Sequence, residues 1–318
     1  MTVREGGVRL DAALLHAYPT TTRAFVREAI QRGDVLIKGS DAAPRRAEKG
    51  AKLAAGACVL VRELLEACDN LVLPDGEPPK PIYEDDDLLA FDKPPKMPVQ
   101  PLTCRETGTL MNGVVARYGA CRTIVERDAN GKILNTLMAG ALHRIDADTS
   151  GLVLVARTQA AFDALRAQFA AQTVEKTYLA LVEGAVAVGG TLENDLVHDP
   201  TLPFCRMIDA HHNRLTRALS ARLKPLHAVT AFRPLGTTQV ESETRTLLEV
   251  TIFTGVTHQI RAQLALAGLH IVNDRLYGAF AVEGQAGHCL HAYAAAFTHP
   301  TTGAATTIRT EKPAWARL

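Results

Sequence analysis

The chain has 318 residues, enough for one large domain and one small one with a core each. Apolar residues make up 47% and charged residues 22%, with a formal net charge of +1, so overall charge does not announce a nucleic-acid partner. No apolar run could span a bilayer, the opening MTVREGG lacks a signal-peptide core, and the six cysteines form no C-x-x-C pair; the expected setting is a reducing cytoplasm, away from any membrane.

Charge distribution says more than the total. Residues 1–63 carry eleven Lys/Arg against seven Asp/Glu, whereas residues 64–87 hold eight acids and only Lys80. A basic head before an acidic neck hints at a polyanion-binding module. Within the head, RLDAALL (9–15) has apolar spacing of three and four and reads as a helix with one greasy face. Thr22 and its neighbours offer hydroxyl caps for a second helix at 23–30, and Gly33 stops it. Strands are expected at 35–38 and 57–61.

The stretch LPDGEPPKPIYEDDD (73–87) cannot be one helix, because its four prolines remove donors and fix φ. The expected organisation is therefore a small domain at 1–65, a linker at 66–80 and a large domain at 81–318. In the large domain strands are expected at 88–92, 151–157, 176–183, 190–196, 218–223, 228–234, 245–254, 290–298 and 304–309. Helices are expected at 108–118, 159–171 and 257–267, the middle one capped by Thr158. So many strands per helix predict an α+β fold, a mixed and mostly antiparallel sheet with flanking helices, plus a small N-terminal α+β domain.

Three stretches carry candidate chemistry. ALHRIDADTSGLVLVAR (141–157) sets His143, Arg144, Asp146 and Asp148 directly before an apolar strand. A carboxylate there is rigid and partly desolvated, suited to act as nucleophile or base; equally, it could merely cap the turn. TGVTHQIRAQLALAGLHIVNDRLYG (254–278) opens a helix on which His258 and Arg261 share one side. An arginine so placed needs a carboxylate, and Asp146 is the natural candidate. In EKTYLALVEG (175–184), alternation puts Tyr178 with Ala180 and Val182 on one face, either as core or as a platform for a planar ligand.

These stretches resemble the RluA-like pseudouridine synthase family. Residues 142–157 are similar to its signature His-Arg-Leu-Asp-x-x-Thr-Ser-Gly-Leu, with Ile145 in place of Leu. Residues 176–184, 254–278, 82–101 and 290–303 resemble its other motifs in order, and residues 9–39 resemble a ribosomal-protein-type small RNA-binding domain. The resemblance implies isomerisation of uridine in structured RNA without cofactor or metal, after the target base has left its helix. By that resemblance Asp146 is the catalytic carboxylate, Arg261 fixes it, Tyr178 stacks on the detached uracil, and Arg144 fills the vacated space, while His143 supports the loop. Arg9, Arg23, Arg27 and Lys38 become candidates for phosphate contacts. Large-subunit ribosomal RNA is the expected target, with transfer RNA as the alternative, and no obligate protein partner is expected.

Besides Ile145, four positions depart from the family pattern: Val256 for Arg, Gln263 for His, Lys96 for Gly and Gln100 for His. They keep open a non-catalytic RNA-binding or ribosome-assembly protein of the same fold. A sugar-cleaving hydrolase would need a second carboxylate, for which Asp148 is the only near candidate. HCLH (288–291) is expected as core or edge, and EDDD (84–87) as a solvated turn.

Overall fold

Helix α1 (Leu10–Ala17) buries Leu10 and Leu14, one turn apart, and α2 (Arg23–Arg32) buries Phe25, Val26, Ala29 and Ile30. Thr22 caps α2 by accepting from the Phe25 amide at 3.3 Å, and Gly33 ends it at φ 84°, a left-handed conformation that suits glycine. Strand β1 (Val35–Lys38) runs between β2 (Arg45–Arg46) and β3 (Cys58–Val61), antiparallel to both. Val35, Ile37, Leu53 and Val59 close a core over the two helices. These elements make up the first of two compact units, Met1–Leu71; the second is Val72–Leu318. This computed structural model describes residues 1–3, 6–19, 21–39, 43–65, 70–203, 205–211, 223–240 and 243–317. The strand expected at 218–223 lies, but for its last residue, outside the described residues.

The second unit is built on a ten-stranded sheet of order β11-β10-β12-β13-β9-β14-β8-β5-β4, with β15 paired to β14. In chain order these strands are β4 (Pro81–Glu84), β5 (Leu88–Lys93), β8 (Ser150–Ala156), β9 (Glu175–Glu183), β10 (Gly190–His198), β11 (Met207–Asp209), β12 (Leu226–Val240), β13 (Glu243–Ile252), β14 (Leu290–Thr298) and β15 (Ala305–Arg309). A small hairpin, β6 (Glu126–Arg127) with β7 (Ile133–Asn135), stands apart. Within the large sheet every pairing is antiparallel except β14 with β8. The architecture is α+β, as the strand-to-helix ratio predicts. Among the described residues no helix is long and apolar enough to cross a membrane.

Among the described residues three α-helices accompany the sheet: α3 (Leu110–Arg117), α4 (Gln159–Ala170) and α5 (Gln259–Leu266). Thr158 caps α4 through the Ala161 amide at 3.1 Å. Thr109 and Asn112 form a reciprocal capping box on α3, and the Asn112 amide also donates to Leu73 O at 2.7 Å. The second half of the expected linker is thereby fastened to α3. A Cβ on Gly113 would lie 2.6 Å from Pro78 N, so only glycine lets that segment pass so close.

Strand β8 anchors the site. Leu152, Val153, Leu154 and Val155 are 0–2% exposed, and each such side chain contributes on the order of 2 kcal/mol by burial. β5 pairs along its whole length, while β14 runs parallel only to Ser150 and Gly151. At Gly151 φ is 111°, and a Cβ would lie 2.2 Å from Ala292 O. The charged loop 143–149 thus enters the sheet where three strands converge.

Candidate active site

Asp146 projects from this loop into a cleft lined also by Arg144, Tyr178, His258 and Arg261, and the loop turns tightly enough for the Thr149 amide to donate to Asp146 O at 3.1 Å. Lys93, fully buried at the end of β5, donates to Pro94 O at 2.8 Å and Ala147 O at 3.0 Å. Burial pushes its ammonium down to about 8, against the pull of Asp146, Asp148 and Asp92. Thr149 Oγ1 and His288 Nε2 lie 2.7 Å apart, and Ser150 Oγ and His291 Nδ1 2.8 Å apart. The two histidines of HCLH are therefore buried and bonded to hydroxyls of the loop's exit. His143 Nε2 accepts from the Leu154 amide at 3.1 Å, and its ring stacks on Phe169 at 5.3 Å, so it braces the loop.

The expected pairing of Asp146 with Arg261 is present: Arg261 Nη1 donates to Asp146 Oδ2 at 2.7 Å. Burial would raise the Asp146 pKa, but His258, Arg261 and, more weakly, His288 outweigh it and keep the carboxyl below its ordinary value. Arg261 has a second carboxylate that sequence reasoning missed. Its Nε and Nη2 donate to Asp274 Oδ2 and Oδ1 at 2.7 and 2.8 Å, a two-point fork in which both side chains are buried. The guanidinium also lies 5.1 Å from the Tyr277 ring centroid.

Tyr178, on β9, is 8% exposed and lines the same cleft as Asp146, Arg144, His258 and Arg261, a cavity of about 610 Å³. Burial and the nearby Asp146 charge push its phenol well above the ordinary value. Arg144 is exposed on the cleft wall. Lys176, two residues before Tyr178, donates to Phe253 O and Thr254 O at 3.2 and 2.7 Å, tying β9 to the turn before α5. Phe253, 46% exposed, stands on the rim. Among the described residues lining the cleft Asp146 is the one carboxylate; Asp148 is exposed and not among them, which disfavours the two-carboxylate hydrolase.

The four departures take distinct places. Lys96 adopts φ 66°, the conformation that explains a usual glycine there. Gln263 is fully buried, accepting from Thr230 Oγ1 and donating to Ala228 O, Leu192 O and Asn194 Oδ1. Val256 packs against a cluster that includes Met207, Ala262 and Tyr277. The Gln100 side-chain oxygen is buried without a partner among the described residues. In the first unit Arg9 is bound by Asp11 through two hydrogen bonds, at 2.9 and 2.8 Å, while Arg23, Arg27 and Lys38 are exposed.

Residues 87–266 match the model of the family described as RNA pseudouridylate synthase. The chain belongs to that family. This pseudouridine synthase is 33% identical over 310 residues to "Ribosomal large subunit pseudouridine synthase D" of Xanthomonas campestris pv. campestris, spanning 93% of this chain and 83% of that protein. It is 31% identical over 297 residues to "Uncharacterized RNA pseudouridine synthase YlyB" of Bacillus subtilis, covering 93% and 87%. Among solved structures it shares the fold of "Human RNA Pseudouridylate Synthase Domain Containing 1", with a TM-score of 0.54 and 21% identity over 78% of this chain and 86% of that one. The protein is therefore an isomerase that acts on RNA.

Proposed function

We propose that this pseudouridine synthase isomerises a uridine of ribosomal large-subunit RNA in the cytoplasm, with Asp146 as its catalytic carboxylate. The observation that carries the catalytic reading is one carboxylate, held ionised by a buried guanidinium, in a cleft it shares with the Tyr178 ring. The target base leaves its helix at a cost of a few kcal/mol and enters the cleft, and Arg144 fills the gap it leaves. Asp146 then either attacks the sugar carbon or removes a sugar proton; both routes need it ionised. The bond from sugar to ring nitrogen breaks, uracil turns against Tyr178, and a ring carbon joins the same sugar carbon. Asp146→Asn is expected to fold normally and form no pseudouridine; retained turnover would overturn the assignment.

The ribosomal target rests on the name of the Xanthomonas relative and on the exposed Arg23, Arg27 and Lys38 of the first unit, suited to phosphate contacts. Arg9 contributes less to such contacts because Asp11 already balances it. Mapping pseudouridines across total RNA, with and without the protein, tests the target. A site lost from transfer RNA alone would refute it.

A further inference from the structure

We propose that His258 is a positioning residue for Asp146, locked by Tyr277 as the tautomer with its proton on Nε2, so that Asp146 Oδ2 is anchored and Oδ1 is the oxygen that reacts. This rests on the catalytic reading of Asp146. The argument begins at the Tyr277 hydroxyl, which accepts from the Met207 amide at 2.8 Å and lies 3.1 Å from His258 Nδ1. The hydroxyl carries one proton, and among the described residues His258 Nδ1 is the one group placed to accept it, since the other contact is the Met207 donor. Aimed at Nδ1, that proton leaves neither group unpaired, and a neutral imidazole then carries its own proton on Nε2. Burial favours that neutral form, with Arg261 and Arg144 acting in the same sense and Asp146 and Asp274 opposing.

Nε2 lies 3.6 Å from Asp146 Oδ2, the oxygen that already accepts from Arg261 Nη1 at 2.7 Å. Contacts of this length commonly tighten when substrate closes the site. Both N–H groups thus face one oxygen, and among the described residues Oδ1 has no hydrogen-bond partner. The backbone is committed to this aim: His258 opens α5 at φ 52°, an unfavourable conformation for a residue with a side chain, and its ring meets Tyr277 edge-on at 84°. The hydrogen bond to Tyr277 offsets that conformation while selecting the tautomer.

The direct test is imidazole nitrogen-15 shifts of the full chain at neutral pH, with the His258 resonances assigned by their loss in His258→Gln. Protonated Nε2 and bare Nδ1 are expected; the reverse pattern or a mixture overturns the proposal. The kinetic test compares Tyr277→Phe, His258→Ala and His258→Gln in single-turnover conversion of a large-subunit ribosomal RNA fragment. The glutamine amide can present an N–H where Nε2 stood, and no variant introduces glycine at 258. Tyr277→Phe and His258→Ala should lower the rate about tenfold with affinity kept within about twofold, the scale of one hydrogen bond to a charged group. They should also move the acid limb of the pH profile upward, because Asp146 loses a donor that favours its ionised form; a purely structural defect would leave that limb in place. Arg261 stays charged throughout, Asp274 is engaged by Arg261, and His288, which also acts on Asp146, is the same in every variant. His258→Gln should recover most of the rate. Glutamine no better than alanine, or an unmoved limb, sinks the proposal. If those variants behave as wild type while Asp146→Asn is dead, the tautomer lock falls and the catalytic reading stands; an active Asp146→Asn removes that reading itself.

Discussion

Asp274→Asn separates the holding of Arg261 from the chemistry proposed for Asp146. Asp274 is 2% exposed and accepts two hydrogen bonds from the Arg261 fork, while the third guanidinium nitrogen serves Asp146. Asparagine has the same shape but offers one oxygen, and its NH2 group faces an N–H, donor against donor. Breaking a buried ion pair costs roughly 3–5 kcal/mol, and a surviving neutral hydrogen bond returns about 1, leaving a loss of about 3 kcal/mol. At about 3 °C per kcal/mol for a unit of this size, Tm should fall by roughly 9 °C. The sign of the kinetic effect is informative. With Asp274 neutral, Arg261 stabilises Asp146 alone, so the acid limb of the pH profile should move down, opposite to the His258 variants. The rate should nevertheless fall, because the guanidinium has lost the fork that aims it. Calorimetry and single-turnover pseudouridine formation across pH 4–8 measure both effects. A Tm within about 1 °C of wild type with an unchanged profile would refute the claim that Asp274 holds the site's cation.

Gly151→Ala should destabilise by more than about 3 kcal/mol, since its Cβ would fall 2.2 Å from Ala292 O at a φ of 111°; an unfolding midpoint near wild type would contradict the tight β8–β14 approach. Tyr178→Phe should keep stacking and part of the activity whereas Tyr178→Ala loses far more, and equal losses in single-turnover rates would argue against a stacking role. Replacing Arg23, Arg27 and Lys38 together by alanine should weaken RNA binding and reduce the salt slope by about 2; an unchanged slope removes these side chains from the interface. His288 and His291 are buried neutral, their pKa values pushed down by burial to about 4 in each case. A folded pKa below the unfolded 6.5 means stability is complete above pH 6.5 and is lost as pH falls towards 4, by about 1.4 kcal/mol per pH unit for each histidine. Urea unfolding that is flat between pH 6.5 and 4.5 would show that they do charge in the native state.

Local patterns carried most of the architecture into view. Alternation and apolar runs located the long strands, and hydroxyl caps such as Thr22 and Thr158 marked helix starts within a residue or two. What stayed hidden was set by partners far along the chain. Strand β4 lies inside the proline-rich stretch, tolerated because Pro81 begins an edge strand. In EDDD, Asp85 is no solvated turn: it accepts from the Tyr83 hydroxyl, from His299 and from the amides of Asp87 and Leu88. Burial alone would raise its pKa, and these donors bring it to about 2 instead. Asp146 and Arg261 could be paired in advance because a buried arginine demands a carboxylate. Asp274 satisfies the same demand through a turn 13 residues downstream, and Lys93 supports the loop from 54 residues upstream, separations on which helical or strand periodicity is silent.

The placement of so much charge against a buried strand follows from where each charge is held. Apolar burial fixes β8, and β8 fixes the loop, but burial by itself would favour a protonated Asp146. The cation that prevents this is itself buried, and a buried guanidinium is stable only if its remaining donors are met, which Asp274 does. The helix bearing Arg261 must then be immobile, and the residue two positions on supplies that. Gln263 ties α5 to β10 and β12 through its carbonyl and amide at once, a task a single imidazole with two ring nitrogens would meet with fewer bonds. The departure at 263 therefore leaves the aim of Arg261 on Asp146 intact, and the sequence around the cleft can vary so long as this chain of buried donors and acceptors stays closed.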